Sequence, residues 1–268
     1  MTTPRPFARR LVLIAIAVAA GWSTSAQAAD EQVSPGGMPV DELRMLVAQP
    51  GRCAELLERV RRRRLDSGTD GVTTLACLVP VDGNPEGRLA WLVRYPDAAA
   101  AAAARQAFEA EPARESSNGD ASRGGDIVRG EERITLTPTE YSPRLTPAAT
   151  ATPRVFELRT YTCPSRDHLA LLHERFRSHT MGLFAKHGME NLAYWHPQGV
   201  EAGERKLVYL LGHASVEAAK KSFAAFRADP EWLAAKEASE RKAGGPLTEK
   251  QGGVVSAFFV GTDDSPLR

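Results

Sequence analysis

The residues with the most chemistry to offer lie between Glu157 and Tyr209. Glu157, Arg159 and Tyr161 alternate with Phe156, Leu158 and Thr160, so one face of a strand-like run is polar and the other largely apolar. A carboxylate, a guanidinium and a phenol on one face can hold and polarise a small polar molecule. Equally, Glu157 and Arg159 can brace one another, because either charge buried alone costs several kcal/mol. With the apolar face against helices, the polar face is expected to point into a barrel. His179 lies beside an apolar helical stripe and is a candidate acid/base or a wall residue. Trp195 and Tyr209 offer aromatic bulk that lines or plugs the interior. Glu157, Arg159, Tyr161, His179, Trp195 and Tyr209 form the candidate ligand-binding set, with His179 the one catalytic candidate.

Other chemistries lose ground. His179 and His187 share a helix, but eight residues separate them by about 12 Å along its axis. Metal–nitrogen bonds of about 2.0–2.1 Å cannot span that, so no metal site is expected. His187 precedes Gly188, where a histidine in the last turn complements the helix dipole. His168, His173, His196 and His213 are expected at the surface or at strand ends, with His213 able to approach a barrel mouth. There is no Gly-rich phosphate loop, no G-x-S-x-G elbow and no C-x-x-C, and no motif implies a cofactor. Cys53, Cys77 and Cys163 are too few and too unevenly spaced for a disulfide framework. One pair with an odd thiol and three unpaired buried thiols both remain open.

The elements that must position these residues can be read from period. Residues 154–162 form a strand. A helix follows over 166–187, with Leu169, Leu172, Phe176, Thr180, Leu183 and His187 on one stripe. Further strands are expected over 189–196, 206–212 and 254–260, with a helix over 215–227. A short third helix starts at Asp229, where Asp229-Pro230-Glu231 supplies an N-cap, a first-turn proline and an acid on the dipole. The same unit occurs earlier in degenerate form. Glu42-Leu43-Arg44 answers Glu157-Leu158-Arg159, Glu58-Arg59 answers Glu174-Arg175, Leu89 to Leu92 answers Leu207 to Leu210, and Phe108 answers Phe226. The offset drifts only from 115 to 118, so insertions fall in loops. Each unit therefore reads βαββαβ. Leu207 to Leu211 is apolar on both faces, so helices must cover one face and a second sheet the other.

Several blocks carry a family resemblance: Glu157 to Thr162, Lys186-His187-Gly188, Tyr194-Trp195, Leu207 to Leu211 and Ala218 to Trp232. In order and spacing they resemble the NIPSNAP family over roughly residues 154–266. The resemblance implies a ferredoxin-like α+β domain that pairs into a dimeric α/β barrel. Two copies in one chain then imply the fold class: α+β, two tandem ferredoxin-like βαββαβ domains packed as an intrachain dimeric α/β barrel. The expected boundaries are 40–142 for the divergent first domain, 143–153 for a Pro/Thr/Ala linker and 154–268 for the second. The wider barrel superfamily includes small oxygenases, isomerases and haem enzymes.

Ahead of the domains, Arg5, Arg9 and Arg10 precede an apolar run, Leu11 to Ala20, and Ala26-Gln27-Ala28 suits signal peptidase. Residues 1–28 therefore read as a cleaved signal peptide, 29–39 as a flexible lead-in, and the mature protein as periplasmic or secreted with no stable membrane span. Cleavage takes the formal charge from +1 to −2, which leaves no electrostatic case for a nucleic-acid partner. Two functional readings follow. One is a module that binds a small molecule, an envelope protein or a second copy of itself; the other is a cofactor-independent or haem-using oxygenase- or isomerase-like enzyme. The two units differ most at capable positions: Tyr161 aligns with Leu46, His179 with Arg63, and Trp195 with Leu78. The site is therefore expected in the second unit, with Tyr161, His179 and Trp195 bordering one cavity and the first unit as a lid.

Overall fold

The computed structural model describes residues 39–66, 71–115, 127–148, 154–198 and 203–268. The expected signal peptide, most of the lead-in, the loop 116–125 and the linker beyond residue 148 lie outside them.

In the first unit β1 (Val40–Ala48), β2 (Thr73–Pro80), β3 (Arg88–Tyr95) and β4 (Val128–Pro138) alternate with α1 (Cys53–Asp66) and α2 (Ala98–Glu115). The second unit opens with β5 (Val155–Thr162) and α3 (Arg166–Arg175). A π-helical turn (Phe176–Thr180) then leads into α4 (Met181–Lys186). There follow β6 (Glu190–Pro197), β7 (Lys206–His213), α5 (Val216–Ala228), α6 (Pro230–Ala243) and β8 (Val254–Gly261). Each unit is thus βαββαβ, with α3, the π-helical turn and α4 standing for one helix of the second unit and α6 added to it.

The eight strands close into one barrel in the order β1-β3-β2-β8-β5-β7-β6-β4. Two seams join the units. At one, Leu78, Val79 and Pro80 pair with Gly261, Val260 and Phe259; at the other, Leu136, Thr137 and Pro138 pair with Pro197, His196 and Trp195. The sheets do not merely stack: their edges are hydrogen-bonded, which removes the unpaired edge that a free sheet exposes. The lumen of an eight-stranded barrel is just wide enough for side chains to fill. Here Leu43, Leu78, Leu92, Leu136, Phe156, Trp195, Leu210 and Phe259 fill it from both units. About 10 Å³ remains among them, at or below the room that one water needs.

Helix α6 is longer than the sequence suggests, with 14 residues against 13 in α5. The Asp229 carboxylate accepts from the Glu231 N–H at 2.9 Å, and Pro230 occupies the first turn. Lys236–Glu240 and Glu237–Arg241 pairs run along its exposed side, and Gly244 ends it at φ 74°. No disulfide forms among Cys53, Cys77 and Cys163. Cys163 lies in the helix-side core, where burial pushes its thiol up to about 12.

Candidate functional site

Strand β5 presents two faces, and their assignment reverses the expectation. Phe156 and Leu158 point into the lumen, whereas Glu157, Arg159 and Tyr161 point out towards the helices. Among the apolar side chains that fill the middle of the lumen an ion pair would be desolvated without compensation, unlike the Asp41–Arg94 pair, whose arginine is partly exposed. The sheet–helix layer supplies partners instead. Glu157 Oε2 meets His213 Nε2 at 3.0 Å, while its Oε1 accepts from Arg159 Nη1 at 2.5 Å and from Ser256 Oγ at 2.5 Å. Arg159 Nε donates to the Tyr209 hydroxyl at 2.8 Å, and its guanidinium lies 4.6 Å from the Phe223 ring centre. Burial would raise the Glu157 carboxyl. The His213 hydrogen bond, the Arg159 charge and the Ser256 hydroxyl outweigh it and hold the group below the usual carboxylate range.

Trp195 is not part of this cluster. In the β6–β7 register Tyr194, not Trp195, stands opposite Tyr209, and the two rings stack at 5.3 Å with 16° between planes. Trp195 points into the lumen, where its indole N–H donates to Asp41 Oδ2 at 2.8 Å. Asp41 also receives Arg94 through both oxygens, at 2.7 and 2.9 Å. That clasp ties β1 and β3 of the first unit to β6 of the second.

His179 occupies a third place. It sits on the π-helical turn, exposed, at the rim of a groove between that turn, α3 and α6. Tyr161, His179 and Trp195 therefore do not border one cavity: they reach the sheet–helix layer, the outer groove and the lumen. The β-strand period explains the first split, because adjacent Tyr194 and Trp195 must face opposite ways. His213 does end β7, as expected, whereas His173 departs from the expectation of a surface or strand-end position, lying in α3. His213 is buried on Glu157, and His173 is half-buried with Nδ1 2.6 Å from the Tyr141 hydroxyl. The His173 ring centre lies 4.5 Å from that of His196. Burial, with His196 and Arg177 nearby, pushes His173 down to about 4.

The groove holds about 160 Å³ and is lined by Leu171, Arg175, Ser178, His179, Ala238 and Ser239, among others. Two devices build it. The π-helical turn, pinned by Thr180 Oγ1 on the Arg175 carbonyl at 3.2 Å, turns Ser178 and His179 outward while Phe176 and Thr180 stay buried. Across the gap α6 presents Ala235 and Ala238, whose small side chains leave the space. Arg175 was missed in the sequence, although it stands three residues after Leu172 on the buried stripe and is a charge where an apolar residue is expected.

Haem fits none of this. Of the histidines, His179 alone lines either cavity, and 160 Å³ falls below the ~300 Å³ at which sites for drug-sized ligands begin. Among the described residues no cluster of three or more His, Cys, Asp or Glu could hold a metal ion.

Comparison with known proteins agrees with the architecture. Among solved structures the chain is similar to a candidate monooxygenase from Lactobacillus acidophilus NCFM, at 13% identity and a TM-score of 0.51. That match covers 85% of this chain and 98% of the other. A chlorite dismutase mutant from Candidatus Nitrospira defluvii matches at 10% identity and a TM-score of 0.48, covering 85% of this chain and 92% of that one. A nipsnap family protein of unknown function from Agrobacterium tumefaciens str. C58 is 17% identical, with a TM-score of 0.36, over 45% of this chain and 99% of its own. No curated protein matches the chain. The NIPSNAP family model matches in two segments, 41–143 and 156–251, one on each βαββαβ unit and together well over half of the chain. With both units matched and a closed α/β barrel built from them, the chain belongs to the NIPSNAP family.

Proposed function

We propose that the protein is a binding module whose small-molecule site is the groove between α3, the π-helical turn and α6, rather than the barrel lumen. The observation that supports this most is the contrast between the two cavities. One is apolar and holds about 10 Å³; the other holds about 160 Å³ beside arginine, serine and histidine side chains. A concave site with a few convergent polar groups is the usual form of a small-molecule site. The divergent unit then acts as scaffold, completing the barrel and covering the sheet from within. The N-terminal pattern of arginines, apolar run and small residues supports export, which puts the module in an envelope or extracellular setting where a soluble ligand or an envelope protein would meet it.

Thermal-shift screening of the purified chain against a small-molecule collection tests this, with Ala238→Trp as the control. Ala238 is exposed on α6 and lines the groove, so the indole fills the site without entering the core. Compounds that stabilise the parent are expected to lose their effect on the variant. Stabilisation that survives the variant for every hit would overturn the assignment. The second reading, an oxygenase- or isomerase-like enzyme, draws on the barrel shared with the Lactobacillus protein and on the half-buried Tyr141–His173–His196 cluster. Oxygen uptake in the presence of a stabilising compound, abolished by His173→Gln, would favour it.

A further inference from the structure

Arg175 is a buried cation with no carboxylate in direct contact, Glu240 acting on it only from a distance. It is 6% exposed, and among the described residues no Asp or Glu oxygen lies within salt-bridge distance. Its Nη1 donates to Ser239 Oγ at 3.1 Å, a neutral acceptor, and its guanidinium stacks 4.9 Å from the centre of the Trp232 ring. The buried Nε has no hydrogen-bond partner at all. Native interiors seldom leave a guanidinium so, because the charge forfeits its hydration and gains no contacting counter-charge. The nearby acids are already engaged: Glu174 takes Lys242 at 3.1 Å at the groove mouth, and Glu240 takes Lys236 at 3.0 Å.

We infer that the groove receives a small carboxylate, with Arg175 as the residue that binds its charge. This rests on the groove being the ligand site and adds the chemistry of what enters it. A planar guanidinium with unused donors matches a carboxylate oxygen pair better than any neutral group. Ser178 and His179 stand on the π-helical turn at the rim and can donate to the same anion. The body of the ligand has to be apolar and compact. Leu171, Ala235 and Ala238 form the apolar part of the wall, Ser239 and the paired Glu174 and Lys242 complete it, and about 160 Å³ is close to the size of cavities that accept benzene, about 150 Å³. An aromatic or short branched monocarboxylate fits both requirements.

Benzoate and its neutral isostere benzamide are suitable probes, at millimolar concentration and matched ionic strength. Binding is read by saturation-transfer NMR on the parent, Arg175→Met and Ala238→Trp. Benzoate is expected to bind the parent, to lose about tenfold or more in affinity on Arg175→Met, and to be blocked by Ala238→Trp. Benzamide is expected to bind at least about tenfold more weakly than benzoate. The melting temperature of ligand-free Arg175→Met is expected to equal or exceed the parent's, because methionine fills similar space without a charge to desolvate; a purely structural arginine would lower it instead. If benzamide binds as well as benzoate, and both depend on Ala238 but not on Arg175, the carboxylate inference fails while the groove reading stands. If neither probe binds, or if binding ignores Ala238→Trp, both fail.

Discussion

Glu42 and Glu157 occupy equivalent places in the two units, each fully buried with an arginine two residues on, yet their surroundings treat them in opposite ways. Glu157 has His213, Arg159 and Ser256 within 3.0 Å, and its carboxyl is held low. Glu42 has only Arg105 at 3.5 Å and Arg44 at 3.9 Å, and its Oε1 lacks a hydrogen-bond partner. Burial therefore prevails, and Glu42 is raised although Arg44, Arg105 and Arg133 oppose it. Arg44 has turned away to Glu131, at 2.6 Å. The same two residue types at the same spacing make a satisfied brace in one unit and a strained remnant in the other. A repeat preserves residues more readily than it preserves their partners.

The largest effect expected from this contrast is on stability. Glu157→Gln removes the centre of a buried network and leaves Arg159 without its anion, which costs ~3–5 kcal/mol. Glu42→Gln removes a carboxylate that is poorly compensated, so stability at neutral pH should stay within ~1 kcal/mol of the parent or rise. Urea unfolding of the two variants checks this, and equal losses would mean that the braces are alike after all.

The pH profiles sharpen the same comparison. Glu157 is depressed in the fold, so its contribution is present above its unfolded value near 4.5 and is lost as pH falls through the folded value. Glu42 is raised, so its contribution is present below 4.5 and is lost as pH rises through the folded value. Glu157→Gln should flatten the acid limb of a stability–pH curve, and Glu42→Gln the limb above it. His173 adds a separate window. With its folded value near 4 and an unfolded value of 6.5, stability falls as pH drops from about 6.5 towards 4, and His173→Gln should lessen that slope.

How far the sequence could be read divides along physical lines. The repeat, both βαββαβ units and the intrachain barrel were legible, because offset, period and Gly stops are local properties. Which face of β5 meets the lumen was not. Phe156/Leu158 against Glu157/Tyr161 gives two different faces, but which of them is inward depends on lumen volume and on His213 and Ser256, dozens of residues away. Tyr194 and Trp195 could have been assigned to opposite faces from period alone. Arg175 was visible as a charge inside an apolar stripe, but its lack of an anion appears only once α6 is in place.

A smaller effect concerns the seam between units. Trp195→Phe keeps the aromatic volume and deletes one of the three donors on Asp41, so a loss of about 1–2 kcal/mol is expected, read in the same unfolding assay.

The most direct test of where function resides is a crystal structure of the chain grown with benzoate. Density for the ring between α3 and α6, its carboxylate on the Arg175 guanidinium, is the predicted result. Benzoate inside the barrel, or against the helices of the first unit, would contradict it.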